Sequence, residues 1–203
     1  MEDPKPQEES STATSAPPNT AWRQLTAPDI PSLVRIANSI HPDLPESAEV
    51  FTERLALFPS GCFALVETAG IDVEGDNLCG YAISHPIRQR QPPALDILLK
   101  EIPDDADQYY IHDLAILERC QGRGFSHEGV RKMVDVGERM GFRTIGLVSV
   151  YGTSVFWGRF GFVRVEVVDV LAEKLKDYGE DAVFLERVGE GCREEERRGS
   201  ART

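Results

Sequence analysis

Apolar positions near the start of the chain recur with a helical period. Residues 28–40 and 46–58 place apolar side chains three and four positions apart, which predicts two helices. Two short apolar runs follow, at Cys62–Glu67 and at residues 79–84. The glycine-containing segment between these runs predicts a hairpin.

A proline-rich connection separates this part of the chain from the next. It covers residues 86–106, where an irregular path with a short helix at 94–100 is expected. Beyond it, strand and helix patterns alternate. The predicted strands are 109–116, 144–150, 162–168 and 182–187, and the predicted helices are 124–140, 153–160 and 171–178. This order predicts an α/β (α+β) protein with a mixed central β-sheet and helices on both faces.

The charge of the chain excludes two classes of partner. Lys and Arg total 22 and Asp and Glu total 34, so the formal net charge is −12. Phosphate backbones and anionic lipids attract cationic surfaces, and we therefore expect no nucleic-acid partner and no membrane partner. A cationic partner such as an amine fits the charge.

The two ends differ in composition from the region between them. Residues 1–20 are acidic and rich in Pro, Ser and Thr, and residues 190–203 are almost all charged or small, so both are predicted to be disordered tails around a single domain at 21–189. Residues 1–20 contain no apolar core of a signal peptide, and no apolar run in the sequence approaches the length of a membrane span. The four cysteines lack the spacing of a zinc ribbon. These features predict a cytoplasmic protein with free thiols and no metal, either a monomer or a homodimer.

A strand, a loop with two glycines and a helix adjoin at residues 110–126. Gly122 and Gly124 let the backbone turn tightly, so that the amides of residues 121–126 converge at the positive end of the helix. Such an arrangement holds a phosphate or pyrophosphate, and Arg119 and Arg123 add positive charge. The segment lacks the Gly-Lys-Ser/Thr of a P-loop and the third glycine of a dinucleotide fingerprint. On glycine spacing alone, an ordinary strand–turn–helix is an equal alternative.

Three segments resemble signatures of the GNAT superfamily of N-acetyltransferases. Residues 121–126, Gln-x-x-Gly-x-Ser, are similar to the Gln/Arg-x-x-Gly-x-Gly/Ala loop, and residues 113–116, Asp-Leu-Ala-Ile, resemble the fourth strand of that family. Residues 156–162, Phe-Trp-Gly-Arg-Phe-Gly-Phe, resemble its Phe-Tyr-x-x-x-Gly-Phe signature. The resemblance covers residues 22–188 and extends to a microbial branch, similar to small-molecule amine acetyltransferases, whose acceptors are mostly unassigned. It implies a GNAT fold with about six to seven strands, a splayed pair of parallel strands, and acetyl-CoA as co-substrate.

The resemblance also implies where the cofactor binds. The pyrophosphate would lie on the amides of residues 121–126, and the pantetheine would follow the strand edge at 114–116. The implied cofactor-binding residues are Leu114, Ala115, Ile116, Gln121, Gly122, Arg123, Gly124, Phe125, Ser126 and Trp157. An indole at Trp157 cannot donate a proton to a leaving thiolate, as the tyrosine usual at that position can. Tyr151 is therefore a candidate donor, and departure without a dedicated acid is the alternative.

Acetyl transfer to an amine needs a base, because alkyl amines are mostly protonated at neutral pH. Strand alternation predicts that residues 110, 112, 114 and 116 share one face and that 111 and 113 share the other. His112 is the candidate base by type. Tyr110 and His112 fall where the related arylalkylamine acetyltransferases carry two histidines, so both are candidate catalytic residues. A hydrogen-bonded core histidine is the alternative for His112.

The acceptor pocket is expected where the loop at 41–46 meets the connection at 86–106, because prolines stiffen both segments. His41, Asp43 and His85 are the candidate substrate-binding residues. A small-molecule primary amine is the predicted acceptor. A non-catalytic acyl-CoA-binding module and an acetyltransferase for a protein or peptide amine are the alternatives.

Overall fold

The computed structural model describes residues 20–67, 77–167 and 169–189. The predicted tails at 1–20 and 190–203 lie outside the described residues except for Thr20, and so do the predicted turn at 68–76 and Val168. The side chains of 169 and 170 are also outside this description. Within the described ranges, no helix is both long enough and apolar enough to cross a bilayer.

Seven strands and five α-helices make up the described part of the chain. The strands are β1 Thr20–Gln24, β2 Cys62–Glu67, β3 Leu78–Ile87, β4 Gln108–Ile116, β5 Thr144–Ser149, β6 Val163–Arg164 and β7 Val183–Val188. The helices are α1 Ile30–Ile40, α2 Ala48–Leu57, α3 Phe125–Arg139, α4 Ser154–Gly158 and α5 Asp169–Leu175. Short 3-10 turns lie at Ala27–Asp29, Pro59–Gly61, Glu118–Cys120 and Lys176–Tyr178.

All seven strands form one sheet, in the order β1-β2-β3-β4-β5-β7-β6. Neighbouring strands are antiparallel except β4 and β5, which are parallel. Helices α1 and α2 cover one face, where Leu33 and Phe51 pack on Tyr81. Helix α3 covers the other face, where Val130 and Met133 pack on the strands. The mixed sheet with helices on both faces and the parallel pair confirm the predicted α/β (α+β) fold.

The predicted helix at 94–100 is wrong. Asp96 and Lys100 have φ values of 55° and 68°, which a right-handed helix does not contain. The amides of Leu99 and Lys100 donate instead to the carboxylate of Glu53 on α2, at 2.7 and 2.8 Å. A side chain from another element therefore supplies the hydrogen bonds that a helix would have made internally.

Two strand predictions also differ from the structure. Strand β1 was not predicted, because its five residues contain a single buried apolar side chain, Trp22. The strand expected at 162–168 is reduced to Val163–Arg164, which pairs with Leu185 and Glu186 of β7. These two strands lie at opposite edges of the sheet. Each of them pairs with a neighbour on one side only, so its apolar pattern in the sequence is weak.

Gly137 lets α3 lie close to the sheet. A Cβ at this position would lie 2.7 Å from the ring of Tyr109, which is fully buried and whose hydroxyl is 2.7 Å from Ser84 Oγ. Alanine favours a helix over glycine by about 1 kcal/mol, but here the ring would have to move out of a packed core.

We expect Gly137→Ala to lower the free energy of unfolding by about 1–3 kcal/mol, as overpacking does. Gly158→Ala in α4 is the matched control, because a Cβ there has open space around it. That variant should be neutral or gain up to about 1 kcal/mol. Urea denaturation of the two variants measures the difference, and equal stabilities would contradict the packing argument.

Candidate active site

Strands β4 and β5 separate partway along their length. They pair only at Tyr109↔Ile145, Tyr110↔Gly146 and Ile111↔Leu147, although β4 continues to Ile116 and β5 to Ser149. A cavity of about 470 Å³ opens beyond the last pair. Its lining includes Ile40, His41, Leu44, Glu46, Leu95, residues 111–116, Cys120, Gln121, Gly122, Phe125, Ser126, Leu147, Val148, Val150, Tyr151, Thr153, Phe156, Trp157 and Tyr178.

An extra residue interrupts the alternation of β4 at His112. Ser84 of β3 pairs with Ile111 and Ile83 pairs with Asp113, which leaves His112 without a partner in the register. This is the geometry of a β-bulge, and a bulge re-aims the side chains that follow it.

The bulge overturns the predicted faces of β4. Asp113 accepts a hydrogen bond from Tyr81, on the face covered by α1, and the ring of His112 lies beside Tyr110 and His85 on that face. Leu114 packs toward α3 on the opposite face. His112 and Asp113 are therefore neighbours on one face, and the prediction that 110, 112, 114 and 116 share a face is wrong because the added residue shifts the period.

His112 contacts a carboxylate in the cavity. Its Nε2 lies 2.9 Å from Glu46 Oε2, with both side chains more than nine-tenths buried. Glu46 follows α1 by a short loop, and its other oxygen accepts from the amide of Asp96 at 3.3 Å. Among the described residues, His112 Nδ1 has no hydrogen-bond partner. The carboxylate thus favours the tautomer in which Nε2 carries the proton and the Nδ1 lone pair is free.

A second imidazole–carboxylate pair lies beside the first. His41 Nε2 is 3.2 Å from Asp113 Oδ1, and the ring of His41 stacks on Tyr151 at 5.7 Å between centroids. Burial lowers the pKa of His41, but the carboxylate of Asp113 outweighs burial and raises it above its ordinary value. Burial raises the pKa of Asp113, but His41 and the Tyr81 hydroxyl outweigh it and hold that pKa below its ordinary value. The pair therefore favours imidazolium and carboxylate.

The loop before α3 leaves several backbone donors free. Gly122 and Gly124 have φ values of 72° and 86°, in the left-handed region that favours glycine. In the described part of the chain, the amides of Gly122, Gly124, Phe125, Ser126 and His127 have no hydrogen-bond partner. These donors lie at the N-terminus of a fifteen-residue helix, where an anion is favoured.

The amide of Gln121 is not one of these free donors. It donates to the carbonyl of Glu118 at 3.0 Å, which removes it from the predicted set of converging amides. The Gln121 side chain instead donates to the carbonyl of Ile116 at 2.8 Å and fastens the loop to the end of β4. The indole of Trp22 donates to the carbonyl of Phe125 at 3.0 Å and fixes the first turn of α3 to β1.

Most predicted cofactor-binding residues line the cavity. The eight that do are Leu114, Ala115, Ile116, Gln121, Gly122, Phe125, Ser126 and Trp157. Gly124 and Arg123 lie outside the lining. Gly124 is the N-cap of α3, and the guanidinium of Arg123 lies 4.9 Å over the Phe125 ring and 3.8 Å from Glu67.

The structure divides the predicted catalytic and substrate-binding residues into two groups. His112, Tyr151 and His41 line the cavity. Tyr110 and His85 lie behind it, fully or almost fully buried, and Asp43 is not part of the lining. Burial raises the pKa of Tyr110 well above its ordinary value, and burial together with His112 lowers the pKa of His85 well below its ordinary value.

Glu46 and Tyr178 also line the cavity. Glu46 ends the loop at 41–46 that was expected to build the acceptor pocket, but its contact with His112 was not predicted, and Tyr178 was not a candidate residue. Glu46 is separated from His112 by 66 positions in the sequence. Tyr178 approaches the cavity from the 3-10 turn after α5, and its hydroxyl donates to the carbonyl of Pro93 at 2.7 Å. No local pattern links either residue to β4, so only the packing of the loops shows their position.

The family model described as the acetyltransferase (GNAT) family matches residues 22–162. No curated protein matches the sequence. The loading GNATL domain of CurA from Lyngbya majuscula is 13% identical with a TM-score of 0.65, and 84% of this chain and 98% of that chain are covered. These values show a shared fold.

Two further solved structures share the fold and differ in what they bind. Arabidopsis thaliana Naa50, in complex with a bisubstrate analogue of CoA and a peptide, is 12% identical with a TM-score of 0.58, and 83% of this chain and 97% of that chain are covered. N-acetylglutamate synthase from Neisseria gonorrhoeae, in complex with coenzyme A and N-acetyl-glutamate, is 18% identical with a TM-score of 0.61. That match covers 86% of this chain and 36% of the synthase chain.

Gly124 provides a test of the loop before α3. We expect Gly124→Ala to weaken coenzyme A binding about tenfold, because a Cβ at positive φ costs about 1–2 kcal/mol and the loop must rearrange. Isothermal titration calorimetry with coenzyme A measures the affinity.

Gly141→Ala is the matched control, because Gly141 follows α3 with a φ of 84° and equally open surroundings. The two variants should lose similar stability, and only Gly124→Ala should lose affinity. Equal affinities of the two variants would show that the loop does not bind the cofactor.

Proposed function

Since this chain belongs to the acetyltransferase (GNAT) family, we propose that it moves an acetyl group from acetyl-CoA to a small primary amine, with His112 as the base. The N-acetyltransferase class and the acetyl-CoA co-substrate follow from family membership. The acceptor and the residue roles are the proposal. The observation that carries it is the Glu46–His112 hydrogen bond, which leaves Nδ1 of a cavity-lining imidazole free to accept a proton.

The separated strands supply the cofactor site in this proposal. Beyond Ile111, the edge of β4 offers backbone groups that have no partner on β5. The amides of pantetheine can pair with these groups as an added strand would. The free amides at the start of α3 then hold the pyrophosphate. This arrangement places the thioester where the two strands part, next to the bulge.

The base is assigned to His112 rather than to His41. The adjacent Asp113 carboxylate outweighs burial and raises the pKa of His41, which favours its imidazolium form and makes this imidazole the poorer proton acceptor of the two. His112 Nδ1 accepts the amine proton directly or through one water molecule. The neutral amine then attacks the thioester carbon, the C–S bond breaks, and the thiolate leaves. As the amide forms, the nitrogen loses its second proton to solvent, and exchange with solvent returns His112 and the proton donor of the thiolate to their starting states.

The leaving thiolate needs a proton from a group other than Trp157. Tyr151 lines the cavity, and partial burial together with Asp43 raises the pKa of its hydroxyl, so it stays protonated at neutral pH. We assign it as the donor to the thiolate.

Hydrogen bonds that fasten the loops beside the cavity support a small amine over a peptide. The loop after α1 is fastened to the 88–107 connection by the amide of Ser47, which donates to Asp96 at 2.8 Å. Arg54 of α2 is fully buried and donates to the carbonyl of Ile97 at 2.8 Å. The hydroxyl of Tyr178, in the turn after α5, donates to the carbonyl of Pro93 in the same connection. Three segments are therefore tied together beside the cavity. The two carboxylates of Glu46 and Asp113 outnumber the one imidazolium favoured at His41, so the remaining negative charge attracts a cation. A cytoplasmic location, a monomer or homodimer, and a single domain at 21–189 remain predictions.

The acceptor class is tested with acetyl-CoA and a panel of amines. We expect release of free coenzyme A with small primary amines, and little with peptides carrying a free N-terminus or lysine. A thiol reagent measures the release. Turnover with peptides alone would favour the peptide alternative, and tight acetyl-CoA binding without any turnover would favour the binding module.

Substitutions on β4 test the base. We expect His112→Gln to lower kcat by about 10²–10⁴-fold while the affinity for acetyl-CoA stays the same, because a general base contributes to the chemical step. Tyr110→Phe separates the two candidate bases. The Tyr110 side chain lies behind the cavity, so this change should lower kcat far less than His112→Gln does. An unchanged kcat for His112→Gln would remove His112 from the mechanism.

Tyr151→Phe tests the thiolate donor, and we expect it to lower kcat if Tyr151 protonates the thiolate.

A further inference from the structure

Three potential metal ligands meet outside the acetyl-transfer centre. They are Glu67 at the end of β2, Cys79 in β3 and Cys120 in the 3-10 turn before α3. Both cysteines are buried and free, and Glu67 is half-buried. One ligand atom from each residue lies within 4.8 Å of the other two.

One of the three separations already fits the coordination of zinc, and the other two are at most 4.8 Å. Tetrahedral Zn²⁺ with Zn–S bonds of about 2.3 Å and Zn–O bonds of about 2.0–2.2 Å places its ligand atoms roughly 3.5–3.8 Å apart. Cys79 Sγ lies 3.7 Å from Glu67 Oε2, which is already within this range. Two sulfur atoms and one carboxylate suit zinc better than the oxygen-preferring Mg²⁺ or Ca²⁺.

The surroundings offset the charge that zinc binding would leave. Two thiolates and a carboxylate carry one negative charge more than Zn²⁺ neutralises. Arg119 Nη2 lies 3.8 Å from Cys79 Sγ and donates to the carbonyl of Leu78, and Arg123 lies 3.8 Å from Glu67. An N–H directed at a ligating sulfur is a typical partner of a metal-bound thiolate.

We propose that Glu67, Cys79 and Cys120 bind one zinc ion that joins β2, β3 and the turn preceding the cofactor loop. Binding releases the two thiol protons to solvent, forms two Zn–S bonds and one Zn–O bond, and leaves the fourth position to water. Cys120 lines the cavity directly before Gln121, so the ion would fix the base of the loop without taking part in acetyl transfer. The site is independent of the proposed acceptor and base.

Cobalt is the probe, because tetrahedral Co²⁺ bound to thiolates absorbs in the near-ultraviolet and visible and replaces Zn²⁺ in such sites. The full chain, reduced with a phosphine and freed of metal by a chelator, is titrated with Co²⁺ and then with Zn²⁺. We expect a sulfur-to-cobalt charge-transfer band that saturates at one equivalent and disappears when Zn²⁺ is added. We also expect Zn²⁺ to raise the melting temperature by several degrees.

Variants separate this site from the other thiols. Cys79→Ser and Cys120→Ser should each abolish the band, and Glu67→Gln should weaken Co²⁺ binding at least tenfold. Cys62→Ser is the matched control, because Cys62 is also buried and free but its Sγ donates to the carbonyl of Phe58 in a different core. All of these titrations are repeated in proteins that also carry Cys192→Ser, so that this thiol cannot supply a ligand.

The wild-type spectrum decides the proposal even if a buried cysteine variant fails to fold. Absence of the charge-transfer band in the folded wild-type protein would overturn it. The proposal would also be overturned if Cys62→Ser lost the band as fully as Cys79→Ser. It would be overturned as well if Glu67→Gln, a change to a half-buried side chain at a strand end, bound Co²⁺ as tightly as wild type.

Discussion

The site depends on one constraint, which is that β4 and β5 pair over three residues and then part. Buried backbone amides and carbonyls need partners, and the edge of β4 beyond Ile111 finds none on β5. The two strands stay paired at residues 109–111 and 145–147, and β5 pairs along its whole length with β7 on its other side. The opening is therefore a local gap in a continuous sheet, and a ligand with its own amides can fill it.

The bulge at His112 decides what faces this gap. Without the extra residue, His112 and Asp113 would point to opposite faces of the sheet. With it, both side chains lie on the face covered by α1, where the loop after that helix brings His41 and Glu46 to them. Burying two imidazoles and two carboxylates is tolerated because each carboxylate lies beside an imidazole, at 2.9 Å for Glu46 and His112 and at 3.2 Å for Asp113 and His41. The two pairs differ, since Asp113 raises the pKa of His41, whereas His112 Nδ1 has no hydrogen-bond partner among the described residues.

The elements with strong periodic patterns were predictable, and their partners across space were not. The amphipathic stripe of α3 and the continuous apolar run of β5 appear in the structure within a few residues of their predicted bounds. The helix expected at 94–100 failed because Glu53, more than forty positions earlier, takes its backbone donors. The cluster of Glu67, Cys79 and Cys120 could not be predicted either, because its members are also distant in the sequence. Its members are 12 and 41 positions apart, far from any familiar metal-ligand spacing. The pairing of β2 with β3 brings Glu67 to Cys79, and the hydrogen bond from the Leu117 amide to the Cys79 carbonyl brings in the turn that carries Cys120.

By itself, the sequence determined the fold class, the glycine loop before α3 and the residue types able to move a proton, because these depend on local periodicity and backbone freedom. The tertiary structure decided which of those residues share a cavity. A one-residue bulge placed Asp113 on the same face as His112, and the loop after α1 supplied Glu46. Tyr110 and His85 were buried behind the site. Such juxtapositions depend on strand register and loop packing, which follow from the whole core and not from any one segment.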